Sequence, residues 1–355
     1  MKVEFVTTEG IKKGSGMGVI EYTYNLYANI ARSKGVEVHQ LYAFEDYRRF
    51  HSELSINLGF GRRVVKDCNS VNPDLVHLTD QNLGAVVRSL KKAKQQMPIV
   101  TTVHDLEIFR IISGELGFPV IYKVYSALTA GNVDYSVLNS DFLIFDSVQT
   151  RREVRERYGR TGKQVVVPLG VNDAFLRGVA HARPKADDYR IGYLGALQSN
   201  KNVSFLVDAA GHLSKAFKVL IYGSGIEYQG LMARAAGNKI QNIFFKGFAP
   251  EHEKRQIYDS FDAFAFPSLH EGFGLPILEA QARGLPVIVY KYGKVSREVK
   301  RYCFEAKSPE HMAQIIMHLK ENGYNGRLRK KAMEYARGFT WEKCARKTLD
   351  VYNRA

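Results

Sequence analysis

The sequence predicts an α/β fold of two facing, doubly wound domains with a cleft between them. Short strands rich in valine, isoleucine and phenylalanine alternate with helical segments twice along the 355 residues. A polar stretch at 170–189 separates the two runs and is typical of an interdomain linker. Because the strands are continuous apolar runs, we expect a parallel sheet buried on both faces. Ligands of such sheets bind beyond the carboxyl ends of the strands, so we expect the chemistry in the cleft.

The first run predicts an N-terminal domain over residues 1–172. A helix is expected over 19–32, where apolar residues recur at helical spacing. The predicted strands of this domain are 2–7, 36–43, 74–79, 98–104, 142–146 and 164–168.

The second run predicts a C-terminal domain over residues 173–339. Its predicted strands are 190–195, 217–223, 242–247, 263–267 and 286–290. Three helical segments, within 308–322, 325–338 and 340–354, end the sequence.

The composition excludes several classes of protein. Cys68, Cys303 and Cys344 stand apart, which supports neither a zinc knuckle nor a disulfide framework and fits a reducing compartment. The first ten residues lack the apolar core of a signal peptide, and no run of about 18 uncharged apolar residues predicts a transmembrane helix. We expect a cytoplasmic protein, with a peripheral position at the inner membrane face as a second expectation.

The charge is basic and uneven. The net charge is +15; residues 1–175 carry 22 basic and 19 acidic residues, and residues 176–355 carry 29 and 17. This balance favours an anionic partner, namely nucleic acid, an anionic membrane or a phosphate-bearing ligand, and a solvated surface with one phosphate site explains it equally well. No aromatic–basic interleaving or recognition motif occurs, so we expect no nucleic-acid partner.

The strongest chemical signal is the segment SLHEGFGLPILEA at 268–280. A strand ends at Pro267, a glycine-containing loop follows, and Pro276 suits the first turn of a helix. The unpaired N–H groups at such a helix start can bind a diphosphate. Glu279 leans toward this end and suits a ribose diol, because a carboxylate accepts two hydroxyl hydrogen bonds. The alternative for Glu279 and Glu271 is a solvated helix face and a helix-cap acid.

Two glutamates separated by seven residues around Gly-Phe-Gly-Leu-Pro resemble the signature of the retaining glycosyltransferases of family 4. That family has the GT-B architecture of two facing Rossmann-like domains. Seven further stretches fit the family in order, so the resemblance covers most of the chain. They are residues 14–18, 102–105, 167–171, 193–202, 222–225, 245–248 and 339–341. The resemblance implies that the last helix, about 340–355, crosses back onto the first domain and that the domains close about the linker.

The resemblance also implies roles for residues of the second domain. Glu279 would bind the ribose of a nucleotide-sugar donor, and Glu271 would face the transferred sugar and the reacting centre. Lys201 would neutralise the diphosphate as the nucleotide leaves. The further donor-binding residues are Gly247, Phe248 and, through their backbone N–H groups, Gly272, Phe273, Gly274 and Leu275.

The resemblance also implies roles in the donor site for two features of the first domain. Gly16 and Gly18 of the glycine loop would bind the donor, and the alternative is a plain strand-to-helix turn. Val19 stands where a dinucleotide fingerprint needs glycine, which argues against an NAD-dependent oxidoreductase. His104 is assigned a catalytic contact to the sugar or acceptor on resemblance, although a lone histidine at a strand end is more often structural.

The resemblance implies a retaining reaction by front-face attack, in which the departing phosphate takes the acceptor proton. The donor sugar is expected to be a hexose, mannose or glucose, and the acceptor a glycan or a lipid-linked molecule. No Asp-x-Asp pair occurs, so we expect no metal and no other cofactor. For residues 118–128 the sequence predicts either an amphipathic membrane-facing helix or a core helix.

Ala196 departs from the family pattern. The family commonly has arginine directly after the glycine that ends the first strand of the second domain. A single lysine lacks the bidentate fork of arginine, so the departure puts the efficiency of donor activation in doubt. It also supports an alternative function, a noncatalytic sugar- or nucleotide-binding module, which the retention of Glu271 and Glu279 opposes.

Overall fold

Two parallel sheets of six strands each form the cores of two units. The computed structural model describes residues 1–9, 18–44, 59–159, 161–178 and 188–355. Unit 1 comprises Met1–Gly170 and Trp341–Ala355, and unit 2 comprises Val171–Thr340. The corresponding predicted boundaries are residues 172 and 339.

The sheet of unit 1 has the order β2-β1-β3-β4-β5-β6, with every pair parallel. Its central strands β3, β4 and β5 are buried at every residue, as the continuous apolar runs predict. The strands are β1 Lys2–Glu9, β2 Glu37–Phe44, β3 Leu75–Leu78, β4 Ile99–Val103, β5 Phe142–Phe145 and β6 Lys163–Val166. The helices are α1 Gly18–Ile30, α2 Gly61–Val71, α3 Gly84–Lys92, α4 Glu107–Ser113, α5 Val120–Asn139 and α6 Val148–Tyr158.

The sheet of unit 2 has the order β12-β11-β10-β7-β8-β9, again all parallel. Its strands are β7 Tyr189–Leu194, β8 Phe217–Tyr222, β9 Ile243–Gly247, β10 Ala263–Phe266, β11 Val287–Tyr290 and β12 Phe304–Ala306. Its helices are α7 Asp173–Leu176, α8 Val203–Gly211, α9 Tyr228–Gly237, α10 Lys254–Asp259, α11 Leu275–Ala282, α12 Arg297–Lys300, α13 Pro309–Asn322 and α14 Gly326–Arg337. The strand order reverses between β7 and β10, and that point of a doubly wound sheet is where ligands bind.

The last helix, α15 Trp341–Tyr352, packs on α1 and belongs to unit 1. Its anchor is the buried His77, whose Nδ1 lies 2.5 Å from the Tyr352 hydroxyl and whose Nε2 lies 2.9 Å from Thr102 Oγ1. Burial, and secondarily the charge of His104, lowers the pKa of His77 to about 3. A neutral imidazole donates one hydrogen bond and accepts one, so both partners of His77 are satisfied.

The start of unit 2 is ordered. The Val171 N–H donates to the Phe339 carbonyl at 2.9 Å, so the first and last residues of the unit pair. Asn172 then caps α7 by accepting from the Ala174 N–H at 3.1 Å. The boundary between the units, Gly170/Val171, lies at the start of the predicted linker over 170–189, and residues 179–187 of that linker lie outside the described residues. Within the described residues, no helix is long and apolar enough to cross a membrane.

A buried arginine fastens this first segment of unit 2 to α11. The guanidinium of Arg283, 1% exposed, donates Nε and Nη2 to the Asp259 carboxylate at 2.7 and 3.1 Å. Its Nη1 donates to the Arg177 carbonyl at 3.0 Å. A fully buried guanidinium is stable only with such partners, because removal from water is costly. Arg283 therefore fixes the end of α11, whose beginning carries the predicted donor site.

Replacing Arg283 by methionine should destabilise unit 2 by about 3 kcal/mol, the low end of the range for a broken buried ion pair, because Asp259 keeps only Arg255, whose Nε lies 3.8 Å away. The matched control is Arg234→Met. Arg234 also forms a bidentate pair, with Asp208 at 2.6 and 2.7 Å, but its side chain is 48% exposed. Exposed pairs contribute roughly 1 kcal/mol or less. Urea unfolding should show a larger loss of unfolding free energy for Arg283→Met than for Arg234→Met. Equal losses would contradict the stabilising role of the buried pair.

Candidate functional site

The predicted donor residues of unit 2 gather where the strand order reverses. The turn Ser199–Lys201 follows β7, and the loop at 268–274 follows β10, the strand beside it. The Leu269 N–H donates to the Asn200 carbonyl at 2.8 Å, and Asn202 Nδ2 donates to the Pro267 carbonyl at 3.2 Å. These bonds hold the turn against the loop.

Glu271 and Lys201 form an ion pair at this point. Lys201 Nζ donates to Glu271 Oε1 at 2.8 Å, and the buried Ser268 hydroxyl donates to the same oxygen at 2.7 Å. The Glu271 and Lys201 side chains are 11% and 19% exposed. The Glu271 N–H donates to the Lys294 carbonyl at 3.1 Å, so the loop after β11 also holds this glutamate. Sequence reasoning identified the glutamate and the lysine, but not the support from Ser268 and Lys294.

Helix α11 begins at a glycine in the left-handed region. Gly274 has φ 101° and ψ 49°, a conformation that strains any residue with a side chain. Pro276 lies in the first turn, as predicted. No side chain of the N-cap residue bonds the N–H groups at this helix start. Pro276 has no N–H, and the Ile277 N–H donates to the Gly274 carbonyl at 3.1 Å, so Leu275 is the first-turn residue whose N–H is suited to bind a ligand oxygen.

The Phe273 side chain belongs to the core of unit 2. It is 3% exposed, and its ring centroid lies 6.0 Å from that of Phe339. Only the backbone of Phe273 is therefore available to a ligand, which is the role that the resemblance implies.

Glu279 lies one turn into α11 and is 8% exposed. Its Oε2 accepts from the Tyr258 hydroxyl on α10 at 2.8 Å. Burial, and then the negative charge of Glu279, raises the pKa of Tyr258 well above its ordinary value, so the hydroxyl remains a donor. Sequence reasoning missed Tyr258, because 21 residues separate it from Glu279 and no sequence spacing relates a residue of α10 to one of α11.

The loops after β7, β8 and β9 meet beside this site. The Leu197 N–H donates to the Ser224 carbonyl at 2.9 Å, and the Gly223 N–H donates to the Gly247 carbonyl at 2.7 Å. A Cβ atom on Gly223 would lie 1.9 Å from the Gly195 carbonyl oxygen, so this close approach requires glycine. Beyond Gly247 the Phe248 side chain is 60% exposed. The predicted donor residues Gly247 and Phe248 thus lie at the carboxyl edge of the sheet.

Ala196 lies in the same group of loops. Its carbonyl accepts from the Tyr193 hydroxyl at 2.8 Å, and Tyr193 is fully buried and stacked on Phe266. The Tyr193 hydrogen bond therefore fixes the backbone at Ala196, although alanine lacks the guanidinium of the arginine expected at this position. Among the described residues, no group of three or more His, Cys, Asp and Glu side chains is placed to hold a metal ion.

His104 in unit 1 is held by two partners. Its Nδ1 donates to Asp146 Oδ2 at 2.6 Å, and its Nε2 donates to the Thr79 carbonyl at 2.9 Å. Burial by itself lowers the pKa of His104, but the Asp146 carboxylate and these hydrogen bonds raise it to about 9. The ring is therefore an imidazolium at neutral pH. A sugar contact through either ring nitrogen would have to replace or share one of these bonds.

The glycine loop of unit 1 is described only at its end. Gly18 is the first residue of α1, and a Cβ atom there would meet nothing within 4 Å. Gly16 lies outside the described residues, together with the rest of 10–17. The roles of Gly16 and Gly18 in donor binding stay predictions.

The sequence matches two family profiles that together cover most of its length. The family described as "Glycosyltransferase Family 4" matches residues 18–175, and that described as "Glycosyl transferases group 1" matches residues 180–339. A D-inositol 3-phosphate glycosyltransferase from a Nocardioides species is 40% identical, with 90% of this chain and 77% of the relative covered.

Solved structures share the fold. Sucrose-phosphate synthase from Thermosynechococcus elongatus has a TM-score of 0.81 at 18% identity, with 99% of this chain and 98% of the other covered. HepE from Anabaena, in complex with UDP and glucose, has a TM-score of 0.71 at 17% identity, with both chains covered completely. The predicted fold class of two Rossmann-like α/β domains, as in the GT-B architecture, is confirmed by these similarities.

The His104–Asp146 pair should make stability depend on pH. The pKa of His104 is about 9 in the folded protein and 6.5 as the ordinary value. The pair therefore contributes fully below pH 6.5, and its contribution is lost as the pH rises through 9. It amounts to about 3 kcal/mol. Urea unfolding from pH 6 to 10 should show the difference between the native protein and His104→Gln shrinking over this range. His39→Gln is the control, because His39 also pairs with a carboxylate, Glu37 at 2.9 Å, but at the surface. A difference that is constant with pH would contradict the assignment.

The Tyr258 hydroxyl should stabilise unit 2 through Glu279. Tyr258→Phe removes a buried hydrogen bond to a carboxyl group and should cost about 1.5–3 kcal/mol of unfolding free energy. Tyr189→Phe is the control, because its hydroxyl lies 3.5 Å from the Asp262 carbonyl and is a weak donor there. If thermal and urea unfolding show the same small loss of unfolding free energy for both variants, Tyr258 does not hold Glu279.

Proposed function

The chain belongs to glycosyltransferase family 4, and on that premise we propose a retaining, metal-independent enzyme that moves a hexose from a nucleotide-sugar to a glycan or a lipid-linked acceptor. The observation that carries the proposal is the Lys201–Glu271 pair beside the uncapped start of α11. A cation and backbone N–H groups at a helix start suit a diphosphate, and a neighbouring carboxylate suits sugar hydroxyls. All of them lie at the strand-order reversal of one sheet.

Each group of the site receives a part in donor binding. We assign the ribose hydroxyls to Glu279, which Tyr258 orients through its 2.8 Å bond. We assign the diphosphate to the backbone N–H groups of 272–275 and to Lys201, and the hydroxyls of the transferred sugar to Glu271. Gly247 and Phe248 would line the nucleotide side of the same edge.

The chemistry requires stabilisation of the leaving group. As the bond from the anomeric carbon to the phosphate oxygen breaks, negative charge develops on the nucleoside diphosphate. Lys201 Nζ and the N–H groups at the start of α11 stabilise this charge, and their geometry is fixed before the donor arrives. Since Lys201 is bonded to Glu271, a bound diphosphate would share the ammonium with that carboxylate. With alanine at 196, Lys201 supplies one point charge rather than a bidentate clamp.

Family membership supports retention of the anomeric configuration, the choice of a hexose and the acceptor class. HepE, which shares the fold, is described with UDP and glucose. UDP-glucose is therefore the first donor to test, and GDP-mannose the second. His104, an imidazolium through its bond to Asp146, would contribute positive charge or a hydrogen bond to the sugar rather than accept a proton.

The test is binding and hydrolysis of UDP-, GDP- and ADP-hexoses by the purified protein with a chelator present. We expect one donor to bind and to be slowly hydrolysed without metal, and the anomeric proton in the NMR spectrum of the first-formed product to report retention. Binding without hydrolysis, or without transfer to any offered glycan, would favour the noncatalytic alternative. Activity that the chelator abolishes would contradict metal independence.

Glu279→Gln should weaken binding of that donor roughly ten- to a hundredfold, because hydrogen bonds to a charged group contribute about 1.5–3 kcal/mol. Tyr258→Phe should weaken it less, since the carboxylate remains but is no longer oriented. Glu334→Gln, a change of the same type at an exposed position on α14, should leave binding unchanged. Calorimetric titration gives the three dissociation constants. Unchanged binding by Glu279→Gln would remove Glu279 from the donor site.

A further inference from the structure

A carboxylate and an ammonium group lie together in the segment of unit 2 that follows Phe248. Glu251 Oε2 and Lys254 Nζ form an ion pair, and the two side chains are only 15% and 14% exposed. Exposed pairs such as Lys330 with Glu334, at 78% and 65% exposure, are ordinary solvated surface. Removing two charges from water is costly, so the largely buried pair of Glu251 and Lys254 needs a different explanation.

This ion pair lies near Glu279, to which the proposed function assigns the ribose. Lys254 is the first residue of α10 and Tyr258 follows it by four residues, so both lie on one face of the helix. The Tyr258 hydroxyl donates to Glu279 Oε2 at 2.8 Å. Burial is the main cause of the raised pKa of Tyr258, and the charges of Glu279 and then of Glu251 add to it. The ion pair therefore lies about one helical turn from the residue that orients Glu279.

Phe248 provides an exposed aromatic ring at the same edge of the sheet. It directly follows Gly247, the last residue of β9, and its side chain is 60% exposed. An aromatic ring stacks on any nucleobase, because every base has a π-face, so stacking on Phe248 would hold a base without selecting it. Selection among bases requires polar groups that meet the edge of the base. Glu251 and Lys254 are polar groups of this kind, three and six residues after Phe248.

We propose that Glu251 and Lys254 bind the edge of the donor's base and select guanine, which makes the donor a GDP-sugar; this inference rests on the proposed function. Guanine carries two donors, N1–H and N2–H, beside the O6 acceptor. The carboxylate of Glu251 accepts from both donors, and the ammonium of Lys254 donates to O6. Uracil presents N3–H between two carbonyl oxygens, and adenine presents an unprotonated N1, so each base turns an acceptor toward the carboxylate. Of the donors named above, GDP-mannose is therefore preferred to UDP-glucose.

The experiment is calorimetric titration of the full chain with GDP, IDP, UDP and ADP. IDP keeps N1–H and O6 but lacks the N2 amino group, so we expect it to bind roughly tenfold more weakly than GDP, and UDP and ADP to bind more weakly still. Glu251→Gln should weaken GDP binding roughly ten- to a hundredfold and remove most of the difference between GDP and IDP, without weakening UDP binding. Lys254→Met should weaken GDP and IDP by the same factor, because both carry O6.

Glu253→Gln and Lys215→Met are the matched controls, and both should bind GDP like the native protein. Glu253 belongs to the same segment but is 51% exposed, and Lys215 is exposed just before β8, at the opposite edge of the sheet.

The outcomes separate this inference from the proposed function. If UDP or ADP binds at least as tightly as GDP and Glu279→Gln loses that binding, the selection of guanine is overturned while the proposed donor site stands. An unchanged ratio of GDP to IDP affinity in Glu251→Gln overturns the role of Glu251 in the same way. If no nucleotide binds to the folded protein, the proposed function fails and the inference fails with it.

Discussion

The adjacency of β7 and β10 is the constraint on which the proposed donor site depends. From β7 the chain continues to β8 and β9 on one side of the sheet. It then returns to the other side of β7 as β10, so the connections on the two sides of this point run in opposite directions. The turn that carries Lys201 and the loop that carries Glu271 are therefore neighbours, and the 2.8 Å bond between them joins the two strand ends. A substitution that shifted β10 against β7 would separate Lys201 from Glu271 even though both residues were still present.

Buried partners fix two of the predicted functional groups, one in each unit, in one orientation. Tyr258 holds Glu279 from α10, and Asp146 holds His104 across the end of unit 1's sheet. Each bond lies in a region of low solvent access, where hydrogen bonds are strong and an unpaired polar group is costly. These partners make the geometry of the groups independent of ligand, which is the condition for electrostatic preorganisation.

The sequence predicted the elements that have local signals and missed contacts that depend on tertiary packing. Eleven strands were visible as apolar runs, but β12 was not, because its three residues pair only with β11 at the sheet edge. The loop around Gly274 was predicted because glycine is typical of such loops and proline of the first turn of a helix. Tyr258, Asp146 and the Tyr352 anchor on His77, 275 residues apart in the chain, have no sequence spacing that could reveal them. The exposed apolar residues of α5 stayed ambiguous, since an apolar run alone does not say which side faces the core.

The most direct test of the donor site is a crystal structure of the protein with a nucleoside diphosphate or nucleotide-sugar bound. The account predicts diphosphate oxygens within hydrogen-bond distance of the N–H groups of 272–275 and of Lys201 Nζ, with the ribose hydroxyls on Glu279. A nucleotide bound away from the start of α11, or bound there with its ribose remote from Glu279, would contradict the central claim.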